Sequence, residues 1–226
     1  MKLINTLLTS IAITACAILS SCAPGGSQSQ AAYEAYNRPA TLPTNPSNVR
    51  VKVSIKNKLA YVMEGNKPLL IMPVTVGTAK NPTPKGTFRI FKKEHKHRAY
   101  THGYCTNGNN VMPCYLRKKP GGWGFKGTPM PYWCEFKPAY GFHTGWMKPF
   151  PASHGCLRMH KNVAPKFYRL VRQGTTVSIA NSQPEDATIG RNIPRPPDST
   201  PFPGNPDKMM ANTDKFFTAH KKPTYQ

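Results

Sequence analysis

The chain has 226 residues, a formal net charge of +22 and only 38% hydrophobic residues. That length suits one ordinary domain with extensions, or two small ones, and the low apolar share with 24 prolines excludes a packed core along the whole chain. So large a positive charge calls for anionic surroundings (nucleic acid, lipid headgroups or acidic wall polymer) without choosing among them.

The N-terminus chooses. Met1-Lys2 and the uncharged, apolar or small run over 3–19 read as a secretory signal, because small residues and Cys22 follow instead of a stop-transfer pattern. Leu19-Ser20-Ser21-Cys22 has the form of a bacterial lipobox. Residues 1–21 are therefore expected to be a lipoprotein signal peptide, with Cys22 as the lipid attachment site. Ile13-Thr14-Ala15-Cys16 is a weaker second candidate, and plain cleavage nearby would leave Cys22 incidental. Either way the mature chain is expected in the cell envelope, facing the wall, which argues against nucleic acid as a partner. Ala23 after Cys22 favours outer-membrane sorting if the cell is diderm, where the location is the periplasm.

Residues 22–48 are rich in Gly, Ser, Gln, Pro and Asn and predict a flexible tether. The domain begins at Val49, where Val49, Val51, Val53 and Ile55 alternate with polar residues, the period of a strand with one buried face. Asn57-Lys58 predicts a turn into a second strand over 59–63. Further strands are expected over 69–76, 87–91 and 175–180. The stretch 77–86, with Pro82 and Pro84, must be loop. Residues 92–137 read as a loop-rich insertion, partly ordered by its aromatic clusters. One helix is expected, with Asn162 as N-cap, an apolar face of Val163, Phe167, Leu170 and Val171, and Gly174 as the stop. Residues 181–226 read as a Pro-rich, mostly disordered tail, packing locally through Phe216-Phe217. The core is thus mostly β with a single helix near its end.

With Cys16 removed and Cys22 lipidated, Cys105, Cys114, Cys134 and Cys156 remain. Cys105 and Cys114 flank a turn-like segment and are placed to bridge in an oxidising compartment, although four cysteines allow three pairings. His95, His97, His102, Cys105 and Cys114 match no common zinc spacing, so no metal or cofactor is expected. Trp123 and Trp133 are groove-lining or packing aromatics, His160 is expected at the surface, and the lysine runs are solvated faces or contacts to anionic polymer.

The chemistry concentrates in Ser153-His154-Gly155-Cys156-Leu157-Arg158-Met159, with His143 upstream. Thiolate is the nucleophilic form of cysteine, and a neighbouring imidazolium lowers its pKa. Gly155 permits a tight turn, the Cys156 N–H suits an oxyanion hole, and Arg158 suits a carboxylate. His154 is a rival to His143 as base.

Phe142-His143-Thr144-Gly145-Trp146, followed by Pro151-Ala152-Ser153-His154-Gly155-Cys156-Leu157-Arg158-Met159, resembles the signature of the L,D-transpeptidase (YkuD-type) catalytic domain. Pro73-Val74-Thr75-Val76-Gly77, Pro82-Thr83-Pro84-Lys85-Gly86-Thr87-Phe88 and Met130-Pro131-Tyr132 resemble further blocks of that family. The resemblance spans 49–180 and implies a β-sandwich-like catalytic domain with one helix after the motif. It implies Cys156 as nucleophile, His143 as general base and the Thr144 backbone as its orienting partner, although many relatives have Gly, Ala or Ser at that position. Gly155 and Cys156 N–H groups would hold the oxyanion, with help from Tyr132. Ser153, His154 and Arg158 would support the site, and Trp146 would contact substrate. The implied activity is a thioester acyl-enzyme that joins peptidoglycan stem peptides through 3→3 crosslinks. The same residues would serve an L,D-carboxypeptidase or attachment of a protein to the wall. A non-catalytic basic wall-binding lipoprotein is the reading from another class.

Overall fold

The computed structural model describes residues 25–199, 206–218 and 222–226. The expected signal peptide, Cys16, Cys22 and the Phe216 side chain lie outside the described residues. The strands in chain order are β1 (Val49–Ser54), β2 (Leu59–Glu64), β3 (Lys67–Pro73), β4 (Gly86–Arg89), β5 (Lys92–Glu94), β6 (Arg98–Asn107), β7 (Asn110–Tyr115), β8 (Gly124–Pro129), β9 (Trp133–Lys137), β10 (Tyr140–Thr144), β11 (Leu157–Met159) and β12 (Thr176–Ala180). Helices are α1 (Gly25–Ala35), α2 (Ala164–Leu170) and α3 (Pro206–Asn212).

Two sheets build the domain, in the orders β3-β2-β1-β12-β4 and β11-β10-β9-β5. Val51 and Val53 of β1, Val62 of β2 and Val177 of β12 join Phe142, Leu157 and Met159 of the second sheet in one core, with Phe167 and Leu170 of α2. The fold is mostly β, as the alternating valines indicate. Lys58 turns the first hairpin with φ 52°, a left-handed conformation at the Asn57-Lys58 turn.

β2 departs from alternation: Leu59 to Met63 are all buried. The tail explains it. Leu59, Tyr61 and Met63, on the face away from the main core, pack with Ile71 and Ile193. Tyr61 and Ser54 donate to the Asp186 carboxylate at 2.6 and 2.8 Å, and Lys52 pairs with Glu185. Residues 181–199 are therefore a packed belt rather than a disordered tail.

The tether also differs from expectation. His160 Nε2–H donates to the Tyr33 carbonyl at 2.8 Å, Asn162 donates to the carbonyls of Glu34 and Tyr36, and Lys166 donates to that of Arg38. These bonds dock 33–38 beside α2. They also explain two corrections. His160 is buried, not at the surface, and Asn162 spends its side chain on the docked segment while Val163 occupies the N-cap position.

The expected insertion over 92–137 is narrower than its bounds, because β5 and β9 at its two ends pair within the second sheet, and only β6, β7 and β8 form a third sheet, β7-β6-β8, joined by the Cys105–Cys114 disulfide. α3 lies against this sheet, with Met210 and Phe217 packed near Tyr104. Cys134 is a buried free thiol, and Cys156 is free and half-buried.

Candidate active site

β10 and β11 run parallel, with Phe142 beside Leu157 and His143 beside Arg158. Alternation sends Phe142, Leu157 and Met159 into the core and leaves His143, Cys156 and Arg158 on the other face. Strand register therefore brings His143 and Cys156 to one place across a gap of a dozen residues. Both line a cavity of about 140 Å³ together with His102, Trp146, His154 and Arg158.

The turn before β11 is braced from several sides. Ser153 Oγ accepts the Gly155 N–H at 3.0 Å and donates to the Cys156 carbonyl at 2.6 Å. Gly155 adopts φ +105°, and a Cβ there would meet Tyr140 at 2.6 Å. The loop 77–86 supplies the other brace. Thr78 N–H donates to the Ser153 carbonyl at 3.1 Å, and a Cβ on Gly77 would lie 2.9 Å from Gly155 Cα. The proline-rich block thus buttresses the cysteine turn. Ser153→Ala should lower stability by about 1–3 kcal/mol, since it orphans a buried N–H and a carbonyl. A urea titration checks this.

His143 Nδ1–H donates to the Thr144 carbonyl at 2.7 Å, which leaves Nε2 with its lone pair. Burial pushes the imidazole down to about 3, so it is neutral at pH 7. Burial also pushes the Cys156 thiol up, against the lowering effects of the Gly141 N–H and the Arg158 charge. The thiol donates to the Ala139 carbonyl at 3.6 Å. The expectation of a resting thiolate beside an imidazolium is therefore corrected: the low-dielectric site favours a neutral thiol and a neutral imidazole.

The same burial makes stability acid-sensitive. His143 and His160 have an ordinary value of 6.5, and burial lowers them to about 3 and about 4. Below about 6.5 the unfolded chain binds protons that the folded chain excludes, so stability is lost as pH falls from about 6.5 toward about 4. The urea midpoint should fall across that window, and His160→Asn, which keeps a polar group and does not titrate, should flatten the fall.

The family model for the L,D-transpeptidase catalytic domain matches residues 48–179. The chain belongs to the L,D-transpeptidase catalytic domain family. Similar solved structures include an L,D-transpeptidase from Stackebrandtia nassauensis, at 23% identity and TM-score 0.45, covering 64% of this chain and 60% of that one. Another is from Mycobacterium smegmatis, at 19% identity and TM-score 0.47, covering 59% of this chain and 58% of that one. The catalytic domain from Enterococcus faecium matches at 21% identity and TM-score 0.44, covering 59% of this chain and 98% of that one. The chain thus spans about 60% of the first two structures' own length. No curated protein matches.

Within this L,D-transpeptidase domain, the structure brings together Cys156, His143, Thr144, Ser153, His154, Arg158 and Trp146. Two expectations change. The Gly155 N–H already donates to Ser153, so it does not point at a developing oxyanion, whereas among the described residues the Cys156 N–H has no acceptor. Tyr132, with φ 58°, packs against His95 and Tyr168 in the core instead of lining the cleft. Its backbone N–H pairs with the His95 carbonyl, which fixes that orientation. The Thr144 hydroxyl is buried and has no hydrogen-bond partner among the described residues.

Several cleft residues were missed. Phe217, from the tail, packs on Trp146 with ring centroids 5.0 Å apart and walls the cavity. His102, considered only as a metal ligand, lies with its ring 5.4 Å from that of His154 at the cavity edge. The disulfide removes Cys105 and Cys114 from that imagined ligand set. Trp133 stacks on His97, and Trp123 lines neither this cleft nor the cavity beside it.

Proposed function

We propose that this protein is a peptidoglycan L,D-transpeptidase that joins stem peptides through 3→3 crosslinks. The observation that carries this is the half-buried Cys156 thiol sharing a cleft with a His143 ring fixed by the Thr144 carbonyl. The fixed tautomer aims the free lone pair of Nε2 at accepting a proton. His154 is exposed, its ring lies 5.4 Å from that of His102, and among the described residues no hydrogen bond orients it as the Thr144 carbonyl orients His143.

The thiol proton passes to His143 Nε2 as Sγ attacks the diaminopimelate carbonyl of a donor tetrapeptide stem. The Cys156 N–H stabilises the oxyanion. The imidazolium then protonates the departing nitrogen of the terminal D-alanine, and a thioester remains. A side-chain amine of a second stem attacks that thioester. The new amide forms, the C–S bond breaks, and the proton returns through His143 to Sγ. Arg158, held against Gly145 in the cleft, supplies a cation for a substrate carboxylate.

The signal-like N-terminus and the Cys22 lipobox support a lipid-anchored place facing the cell wall. Incubation with purified sacculi and mass analysis of released muropeptides tests the reaction. New dimers linked 3→3 support it. Tripeptides without dimers would assign an L,D-carboxypeptidase, and an unchanged wall would leave a binding lipoprotein.

A further inference from the structure

A cavity of about 330 Å³ lies away from the cleft, where the docked N-terminal segment meets the end of α2. Leu42, Pro43 and Pro46 line one side, and Arg169 and Arg172 line the other. It shares no lining residue with the cavities at Cys156. α2 packs on the core face of β10, with the Phe167 and Phe142 rings 4.5 Å apart, whereas His143 lies on the opposite face of that strand.

Both sides of this cavity are fixed. The Glu64 carboxylate, across from Val49, accepts the Thr44 N–H at 3.0 Å and the Asn45 N–H, and the Thr41 N–H donates to the Leu69 carbonyl at 2.9 Å. On the other side the Arg172 N–H donates to Thr175 Oγ1 at 3.0 Å, and the Thr175 N–H returns to the Arg172 carbonyl at 3.1 Å. Carbonyls that end a helix ordinarily draw basic side chains. Here Lys93 Nζ takes that place, donating to the carbonyls of Tyr168 and Val171 at 2.7 and 2.6 Å. Arg169 and Arg172 stay exposed, and among the described residues neither has a carboxylate within ion-pair distance.

Two more arginines continue from the cavity. Arg50 stands beside Thr176, and Thr176 beside Arg89, across three neighbouring strands. Val51 and Val177 face the core and Phe88 packs against it, so this row lies on the outer face of the first sheet. Strand spacing puts the Arg50 and Arg89 backbones about 10 Å apart. Arg89 Nη1 donates to the Gly174 carbonyl at 3.0 Å, which ties the row to the turn that carries Arg172. We infer that the cavity binds a phosphate group of an anionic polymer through Arg169 and Arg172, and that Arg50 and Arg89 take the next anionic group along it. One guanidinium fork satisfies a planar carboxylate, whereas a tetrahedral phosphate offers oxygens to two forks. The apolar wall of Leu42, Pro43 and Pro46 keeps water from one side and strengthens the attraction. A lone small anion does not reach from the cavity to the row; a repeating one does. Binding here needs no chemistry at Cys156, and it leaves the cleft on the other face of β10 open.

The test titrates the full chain with long-chain sodium polyphosphate in a calorimeter at physiological salt, with inorganic phosphate, polyglutamate and phosphatidylglycerol vesicles as separate arms. Arg169→Gln with Arg172→Gln should raise the polyphosphate Kd about tenfold, the loss of a hydrogen bond between charged groups. Arg50→Gln with Arg89→Gln should raise it about threefold, as exposed charges do. Lys80→Gln with Lys118→Gln removes the same charge from exposed sites elsewhere and should leave it nearly unchanged. All four arginines are exposed, so the urea midpoint should hold in each variant. An unchanged Kd in Arg169→Gln with Arg172→Gln, or an equal loss in Lys80→Gln with Lys118→Gln, overturns the site. Polyglutamate bound as tightly as polyphosphate overturns the phosphate assignment, and inorganic phosphate bound as tightly overturns the polymer. Arginine-dependent binding to vesicles without binding to polyphosphate overturns it in favour of a lipid surface.

Discussion

Cys156→Ala is expected to form no acyl adduct with a donor stem peptide and to lose about 10⁴-fold or more of crosslinking activity. In the proposed reaction the sulfur holds the acyl group between the two half-reactions, and alanine cannot replace it. The fold should survive. The side chain is half-buried, its thiol gives one long bond to the Ala139 carbonyl, and the turn is held by Ser153, Gly77 and Thr78. Intact-protein mass after incubation with donor, read beside a urea titration, separates loss of chemistry from loss of fold. An adduct that persists in Cys156→Ala would place the nucleophile elsewhere.

His143→Ala is expected to lower both thioester formation and its consumption by about 10²–10⁴-fold. The effect should be large because burial keeps the thiol protonated at neutral pH. Among the described residues that line the first cavity, no other imidazole is held by a hydrogen bond to a carbonyl as His143 is. His154→Ala is the necessary comparison, since His154 also borders Cys156. If His154 were the base, the two losses would be reversed. Single-turnover measurement of acylation in both variants decides this, since it reads the first proton transfer without the acceptor.

How much of this was legible in the sequence depends on what kind of contact each part makes. The strands of the first sheet were legible because Val49, Val51 and Val53 face a core and the residues between them do not. Cys156 and His143 were legible because a short loop joins two neighbouring parallel strands, so their spacing stays local. The docked segment at 33–38 was not, because side chains of His160, Asn162 and Lys166 reach its backbone carbonyls, which every residue carries. The belt over 181–199 left one trace. Five consecutive buried residues in β2 need cover on both faces, and an outer layer follows from that. Phe217 left none. Its place beside the cleft comes from how the tail folds back over it. Gly155 was misassigned because its N–H is claimed by Ser153 within the turn, a competition that the motif alone does not display.

The central claim is that Cys156 becomes acylated by a wall stem peptide. The most direct measurement is the intact mass of the full protein after brief mixing with a disaccharide-tetrapeptide, followed by peptide mapping at acid pH. The account predicts a single adduct on Cys156 equal to the donor without its terminal D-alanine, absent from Cys156→Ala. An unmodified Cys156 under conditions where the donor is consumed, or an adduct on another residue, would contradict it.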